Sequence, residues 1–251
     1  MKSATGIAVA YSGGMDSGFL AMASLRFRPD ATIALLVSSE FMAPHELDLA
    51  EQLARCFNIP LKRIDMSVLN HPAVCENLAD RCYHCKLMIF SHLREIAPKG
   101  WLLCDGSNID DTSDFRPGKR ALKEVGVISP LIEAGFTKAL IREALTSWNA
   151  DAFIRPAQAC LATRFPTGTH LTIDMLRRVA AAETLLREAG FSRFRVRCHG
   201  NIARIELPPE DFQHALVLIP SRIAMLKAVG FRHVTLDLEG YRMGSMNEAG
   251  A

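Results

Sequence analysis

The chain has 251 residues, enough for one large α/β domain or for a nucleotide domain with a smaller partner, and 49% of them are apolar. Its 16 Gly and 12 Pro are ordinary counts, so collagen-like, low-complexity and wholly disordered chains are excluded. Lys and Arg number 29 against 27 Asp and Glu, and a net charge of +2 is too even for a basic nucleic-acid wrapper or an acidic tail.

No apolar run approaches the roughly 20 residues needed to span a bilayer, so no membrane crossing is expected. The apolar stretch after Lys2 ends at Gly13-Gly14-Met15-Asp16, too early for a signal peptide, and reads as a first strand. Seven cysteines, an odd number without an export signal, point to reduced thiols and a cytoplasmic location.

In chain order, strand 7–11 is predicted to lead into helix 16–27, strand 32–38 into helix 45–58, and strand 61–66 through an irregular stretch into helix 86–97. A buried strand, 101–104, follows. Polar residues 105–118, and 155–169 with two prolines and a glycine, read as long loops that wall or cover a site. Alternating strands and helices predict an α/β fold with a doubly wound, mostly parallel sheet. From Thr172 the pattern changes to a long helix ending at 189, strands 193–198 and 202–207, helical stretches after Pro209 and Pro220, and strand 233–238. The expected division is therefore 1–169 and a small α+β domain, 170–251.

Ser12-Gly13-Gly14-Met15-Asp16-Ser17 lies between the first strand and its helix, where backbone N–H groups and the helix dipole favour an anion. No Lys follows the glycines, so the loop suits a leaving pyrophosphate better than transfer of a terminal phosphoryl group. Asp16 is placed to cap the helix and to help hold Mg²⁺.

Cys82 and Cys85 form a C-x-x-C pair, and Cys160 lies in the second long loop. The pair alone is compatible with half a zinc site, a redox couple or two small apolar residues, and Cys75, His71 or His84 are available as further zinc ligands. Three cysteines without a dedicated fourth suit an iron–sulfur cluster with one iron open. Cys56, Cys104 and Cys198 read as core residues.

In the small domain Arg193, Arg195 and Arg197 alternate with apolar residues, as Arg204 and Glu206 do. A two-residue turn at Gly200-Asn201 would set Arg197 opposite Arg204 and Arg195 opposite Glu206, and facing arginines call for an anion. Glu183 falls within the apolar stripe of its helix and needs a partner.

The Ser-Gly-Gly-x-Asp-Ser loop resembles that of the PP-loop ATP pyrophosphatase superfamily, whose members release pyrophosphate from ATP while adenylylating a substrate. Arg81-Cys82-Tyr83-His84-Cys85-Lys86, Asp105-Gly106-Ser107-Asn108, Phe115-Arg116-Pro117-Gly118, Ser129-Pro130-Leu131, Ala159-Cys160-Leu161-Ala162-Thr163-Arg164 and Ala203-Arg204-Ile205-Glu206 together look like the LarE family. That family is the ATP-dependent sulfur transferases of nickel-pincer nucleotide synthesis. Its members either sacrifice the sulfur of one cysteine or carry a [4Fe-4S] cluster on three, and Cys82, Cys85 and Cys160 resemble the cluster form. The resemblance implies that Ser12, Gly13, Gly14, Asp16, Ser17, Val37, Ser38, Gly106 and Asp111 contact ATP and Mg²⁺. It also implies that Arg116, Arg164, Glu183, Arg195, Arg197 and Glu206 surround the substrate and its phosphate.

The implied reaction adenylylates a carboxylate of a pyridinium mononucleotide, and sulfide then displaces AMP. The expected partners are a small-molecule nucleotide and a sulfide donor, without membrane or nucleic acid, in a homo-oligomer. A tRNA thiolase, an ammonia-dependent synthetase and a nucleotide-sensing adaptor are the competing readings.

Overall fold

The computed structural model describes residues 5–113, 118–156 and 158–242. The chain forms two compact units. The first consists of residues up to Val74 together with Asp80–Gln158, and the second of Cys75–Ala79 together with residues from Ala159 onward. Cys160 and Arg164 therefore lie in the second unit, whose start at Ala159 precedes the expected boundary at 169/170.

The first unit is a four-stranded parallel sheet in the order β3-β2-β1-β4, with β1 Ile7–Tyr11, β2 Thr32–Ser38, β3 Leu61–Asp65 and β4 Leu102–Cys104. Its helices are α1 Met15–Phe27, α2 Pro44–Cys56, α4 Arg81–Ile96, α5 Gly118–Val125, α6 Pro130–Glu133 and α7 Lys138–Ser147, and the short α3 Pro72–Cys75 ends one residue past it, at Cys75. Side chains alternate across a strand, so β1 feeds two cores. Ile7, Val9 and Tyr11 pack with Phe19, Leu53, Ile141 and Phe153 on one face, while Ala8 joins Leu35, Leu103, Phe90 and Leu93 on the other. The sheet is thus covered on both faces, the doubly wound arrangement expected. Strand order reverses between β1 and β4, where ligands bind at the carboxyl ends of such sheets.

In the second unit, α8 Ile173–Glu188 and α9 Phe212–Ala228 accompany a three-stranded sheet of order β5-β6-β7: Arg195–His199, Ile202–Glu206 and His233–Leu236. The β5–β6 hairpin pairs Arg195 with Glu206 and Arg197 with Arg204, the register the Gly200-Asn201 turn requires. The two helical stretches expected around Pro220 are one helix, with the proline inside it. Proline removes the bond to the residue four back, and here Leu216 and Val217 are exposed, so water can serve the released carbonyl. No described helix is long and apolar enough to cross a membrane.

Candidate functional site

The glycine loop leaves β1 at Ser12 and enters α1 at Met15. Gly13 has φ +73°, and a Cβ there would lie 2.5 Å from that of Ala50, so only glycine makes this turn. Within the loop Ser17 Oγ accepts from the Ser12 N–H at 3.2 Å and lies 3.1 Å from Ser12 Oγ, while Gly14 N–H donates to Ser12 Oγ at 3.4 Å. No side chain caps α1, so the N–H donors of its first turn are available to an anion. Gly106, just beyond β4, rests directly on that turn: a Cβ would come within 2.8 Å of the Ser17 nitrogen.

Carboxylates gather at the same point. Asp16 Oδ1 is buried and has no hydrogen-bond partner among the described residues. Burial raises its pKa, and the charge of Asp111 raises it further, against the opposing pull of Lys138 and Asn108. Asp111 is itself buried, accepts from the Asn108 N–H at 3.3 Å, and meets Lys138 Nζ at 3.5 Å. Asp105 accepts from Ser129 Oγ at 2.5 Å and from Ser107 Oγ. A carboxylate with one unpartnered oxygen beside a second carboxylate is a hard-oxygen donor set that fits Mg²⁺.

Sequence reasoning missed Lys138 and Arg155. Arg155 donates from Nη2 to the Gly13 carbonyl at 2.9 Å and lies 3.8 Å from Glu46, putting a cation under a loop that lacks the lysine of a P-loop. Val37 and Ser38 end β2, where Arg63 donates to Ser38 Oγ at 3.3 Å. Arg116 lies outside the described residues.

Cys82 and Cys85 stand one turn apart within the first turns of α4, a helix that starts at Arg81 and not at 86. Cys82 is exposed and Cys85 half-buried. His71 and His84 have their ring centroids 5.1 Å apart in the same unit. Of the cysteines read as core, Cys104 and Cys198 are buried, and burial pushes the Cys104 thiol up to about 12. Cys56 is exposed, a correction: at 3.6 residues per turn it sits more than a quarter turn off the Ala50–Leu53–Ala54 stripe of α2.

In the second unit Cys160 is half-buried and directly precedes a single 3₁₀ turn, Leu161–Arg164. Arg164 donates to the Ala159 carbonyl at 3.0 Å and the Cys160 carbonyl at 3.4 Å. Glu183 holds it bidentately at 2.7 and 3.1 Å and also accepts the Val196 N–H. Arg197 donates to the Thr163 carbonyl at 2.7 Å and pairs with Glu206 at 2.9 Å. Two buried ion pairs therefore lash the cysteine loop. Glu206 also takes Arg204 at 2.9 Å, so the facing arginines find their anion inside the sheet and need none from outside.

Arg195 is different. It is 7% exposed, donates to the Phe194 carbonyl at 2.7 Å and stacks 5.1 Å from the Tyr241 ring centroid. No carboxylate lies within ion-pair distance among the described residues, and burial and the charge of Arg164 both lower its pKa.

Cys82, Cys85 and Cys160 are all free thiols with solvent access, the first two in the first unit and the third in the second.

The sequence is 37% identical over 256 residues to the pyridinium-3,5-bisthiocarboxylic acid mononucleotide synthase of Lactiplantibacillus plantarum, covering 99% of this chain and 91% of that protein. It is 37% identical over 243 residues to an uncharacterized protein of Synechocystis, covering 95% of this chain and 91% of the other. An uncharacterized protein of Methanocaldococcus jannaschii is 31% identical over 238 residues, 94% of this chain and 90% of its own length. No family model matches the sequence.

Proposed function

Since this chain belongs to the LarE family, and one such relative is named as a synthase of a bisthiocarboxylated pyridinium mononucleotide, we propose that it is an ATP-dependent sulfurtransferase acting on a carboxylated pyridinium mononucleotide. The observation that carries the reading is the glycine loop: uncapped helix donors, the unpartnered Oδ1 of Asp16 and a second carboxylate at Asp111 meet at the sheet's reversal point.

The backbone of Ser12, Gly13 and Gly14 and the hydroxyl of Ser17 cradle the β- and γ-phosphates of ATP, with Gly106 allowing the close approach and Val37 and Ser38 bordering the adenine. Asp16 and Asp111 would hold Mg²⁺, which supplies charge neutralisation to the departing pyrophosphate. A substrate carboxylate oxygen forms a bond to the α-phosphorus as the bond to pyrophosphate breaks, giving an acyl adenylate. Hydrosulfide then adds to the acyl carbon, AMP leaves with the former carboxylate oxygen, and one proton is released, leaving a thiocarboxylate.

In the second unit Arg195, a buried cation with no carboxylate at ion-pair distance among the described residues, takes the substrate phosphate, with Arg116 as a further contact. Arg164–Glu183 and Arg197–Glu206 fix the wall around it and the path of the Cys160 loop. Cys82, Cys85 and Cys160 would hold a [4Fe-4S] cluster, which would supply the sulfide for the second step. The odd set of reduced thiols and the family likeness favour a cytoplasmic homo-oligomer.

The test is an anaerobic assay with ATP, sulfide and the carboxylated pyridinium mononucleotide. Formation of AMP, pyrophosphate and a product heavier by one oxygen-to-sulfur exchange is expected, with loss of all three on Asp16→Asn. Turnover with ammonia in place of sulfide, or salt-resistant retention of tRNA, would overturn the assignment.

A further inference from the structure

Cys75, Glu76 and His170 bring a thiol, a carboxylate and an imidazole together from positions 94 residues apart, with one ligand atom of each lying within 4.8 Å of the others. All three belong to the second unit. We propose that they form a binding site for a divalent cation of the zinc class, one that no part of the sulfur-transfer reaction uses.

The donors suit such an ion. Thiolate, imidazole and carboxylate together select zinc and its borderline neighbours over Mg²⁺ or Ca²⁺, which prefer oxygen alone. Zinc–ligand bonds of about 2.0–2.3 Å in a tetrahedron put ligand atoms about 3.3–3.7 Å apart, so small side-chain movements close the site. His170 Nδ1 and Glu76 Oε1 already stand 2.8 Å apart and would separate slightly as the ion displaces the proton between them. Three protein ligands leave the fourth position to water.

The backbone holds the two segments in place without the ion. Leu171 N–H donates to the Cys75 carbonyl at 2.6 Å and Gly168 N–H to the Asn77 carbonyl at 3.0 Å. The buried Asn77, at φ +51°, returns its side-chain amide to the Pro166 carbonyl at 2.8 Å and the Phe165 carbonyl at 3.4 Å. Two of the three ligands are thus neighbours on one clamped segment, and the third sits in the loop that segment is clamped to. Glu76 and His170 have half or more of their side-chain surface exposed, so an ion can enter. Once bound, it ties residues 75–79 to the loop before α8.

Co²⁺ is the probe, used on the full chain carrying Cys82→Ser, Cys85→Ser and Cys160→Ser so that no other assigned thiol ligand competes, while the oxygen ligands Asp16 and Asp111 give no sulfur-to-metal band. One equivalent is expected to bind with sulfur-to-metal charge-transfer absorption and to be displaced by Zn²⁺. Adding Cys75→Ser removes the band, and His170→Ala weakens binding by at least the roughly 10–100-fold that even an outer-shell partner is worth. Absence of the band, or its survival in Cys75→Ser, overturns the site. If the triple variant does not fold, zinc content of the unsubstituted chain decides: His170→Ala lowers it by one ion per chain, and an unchanged content overturns the site.

Discussion

The two units treat buried charge in opposite ways. In the first, Asp16 Oδ1 is left without a partner beside Asp111, and α1 begins without a cap. In the second, Arg164 is matched by Glu183, and Glu206 serves both Arg197 and Arg204. The first arrangement leaves a carboxylate oxygen open, whereas the second closes its buried carboxylates on guanidinium groups. Unsatisfied groups mark where chemistry is to be supplied, and satisfied ones mark where position is to be held.

The sharpest way to break this contrast is to remove one member of a satisfied pair. Glu183→Ala strands a buried guanidinium and is expected to cost about 3–5 kcal/mol in urea unfolding, with Glu183→Gln costing less. A cost below about 1 kcal/mol would mean that the pair does not hold the second unit together.

Next comes the support of the glycine loop. A Cβ on Gly18 would lie 2.3 Å from the Phe153 ring, two residues from Arg155. Gly18→Ala is expected to cost about 1–3 kcal/mol through overpacking and to raise the ATP KM, read by calorimetry and kinetics together.

A smaller effect of opposite sign is expected at Asp16. Burial first and Asp111 second raise its folded pKa, so the folded chain keeps this proton to higher pH than the unfolded chain does. Ionising it therefore costs stability as pH rises through the carboxylate range. Asp16→Asn should raise the thermal midpoint of the ligand-free protein at neutral pH, and the gain should fade in acid, where the carboxyl is protonated in both states. A midpoint lowered at neutral pH would show that Asp16 is a structural residue.

The mildest test leaves the fold untouched. Brief alkylation of native protein should label Cys56 and Cys82 and spare Cys104 and Cys198, both buried and with pKa raised by burial. Mass spectrometry of the peptides reads the outcome.

Much of the first unit was legible because its strands are runs of apolar residues covered on both faces, and β1 and β2 match their predicted bounds. The β5–β6 register was legible from a single turn. The start of α4 was not, since Asp80 makes no side-chain cap and the first helical turn carries polar and cysteine residues. Pro220 looked like a break because sequence does not reveal which helical carbonyls face water. Lys138 and Arg155 carry no local signature: they reach Asp111 and Gly13 through the tertiary fold, and Arg155 does so across 142 positions. The partners of Arg197 and Arg204 were hidden for a related reason: the register predicts who faces whom, but not that Glu206 would bridge both.

Arg164 grips the Cys160 segment by its main-chain oxygens and not by its sulfur. The mount is thus indifferent to what the side chain carries. A substitution at the Cys160 side chain therefore leaves both of these main-chain bonds in place.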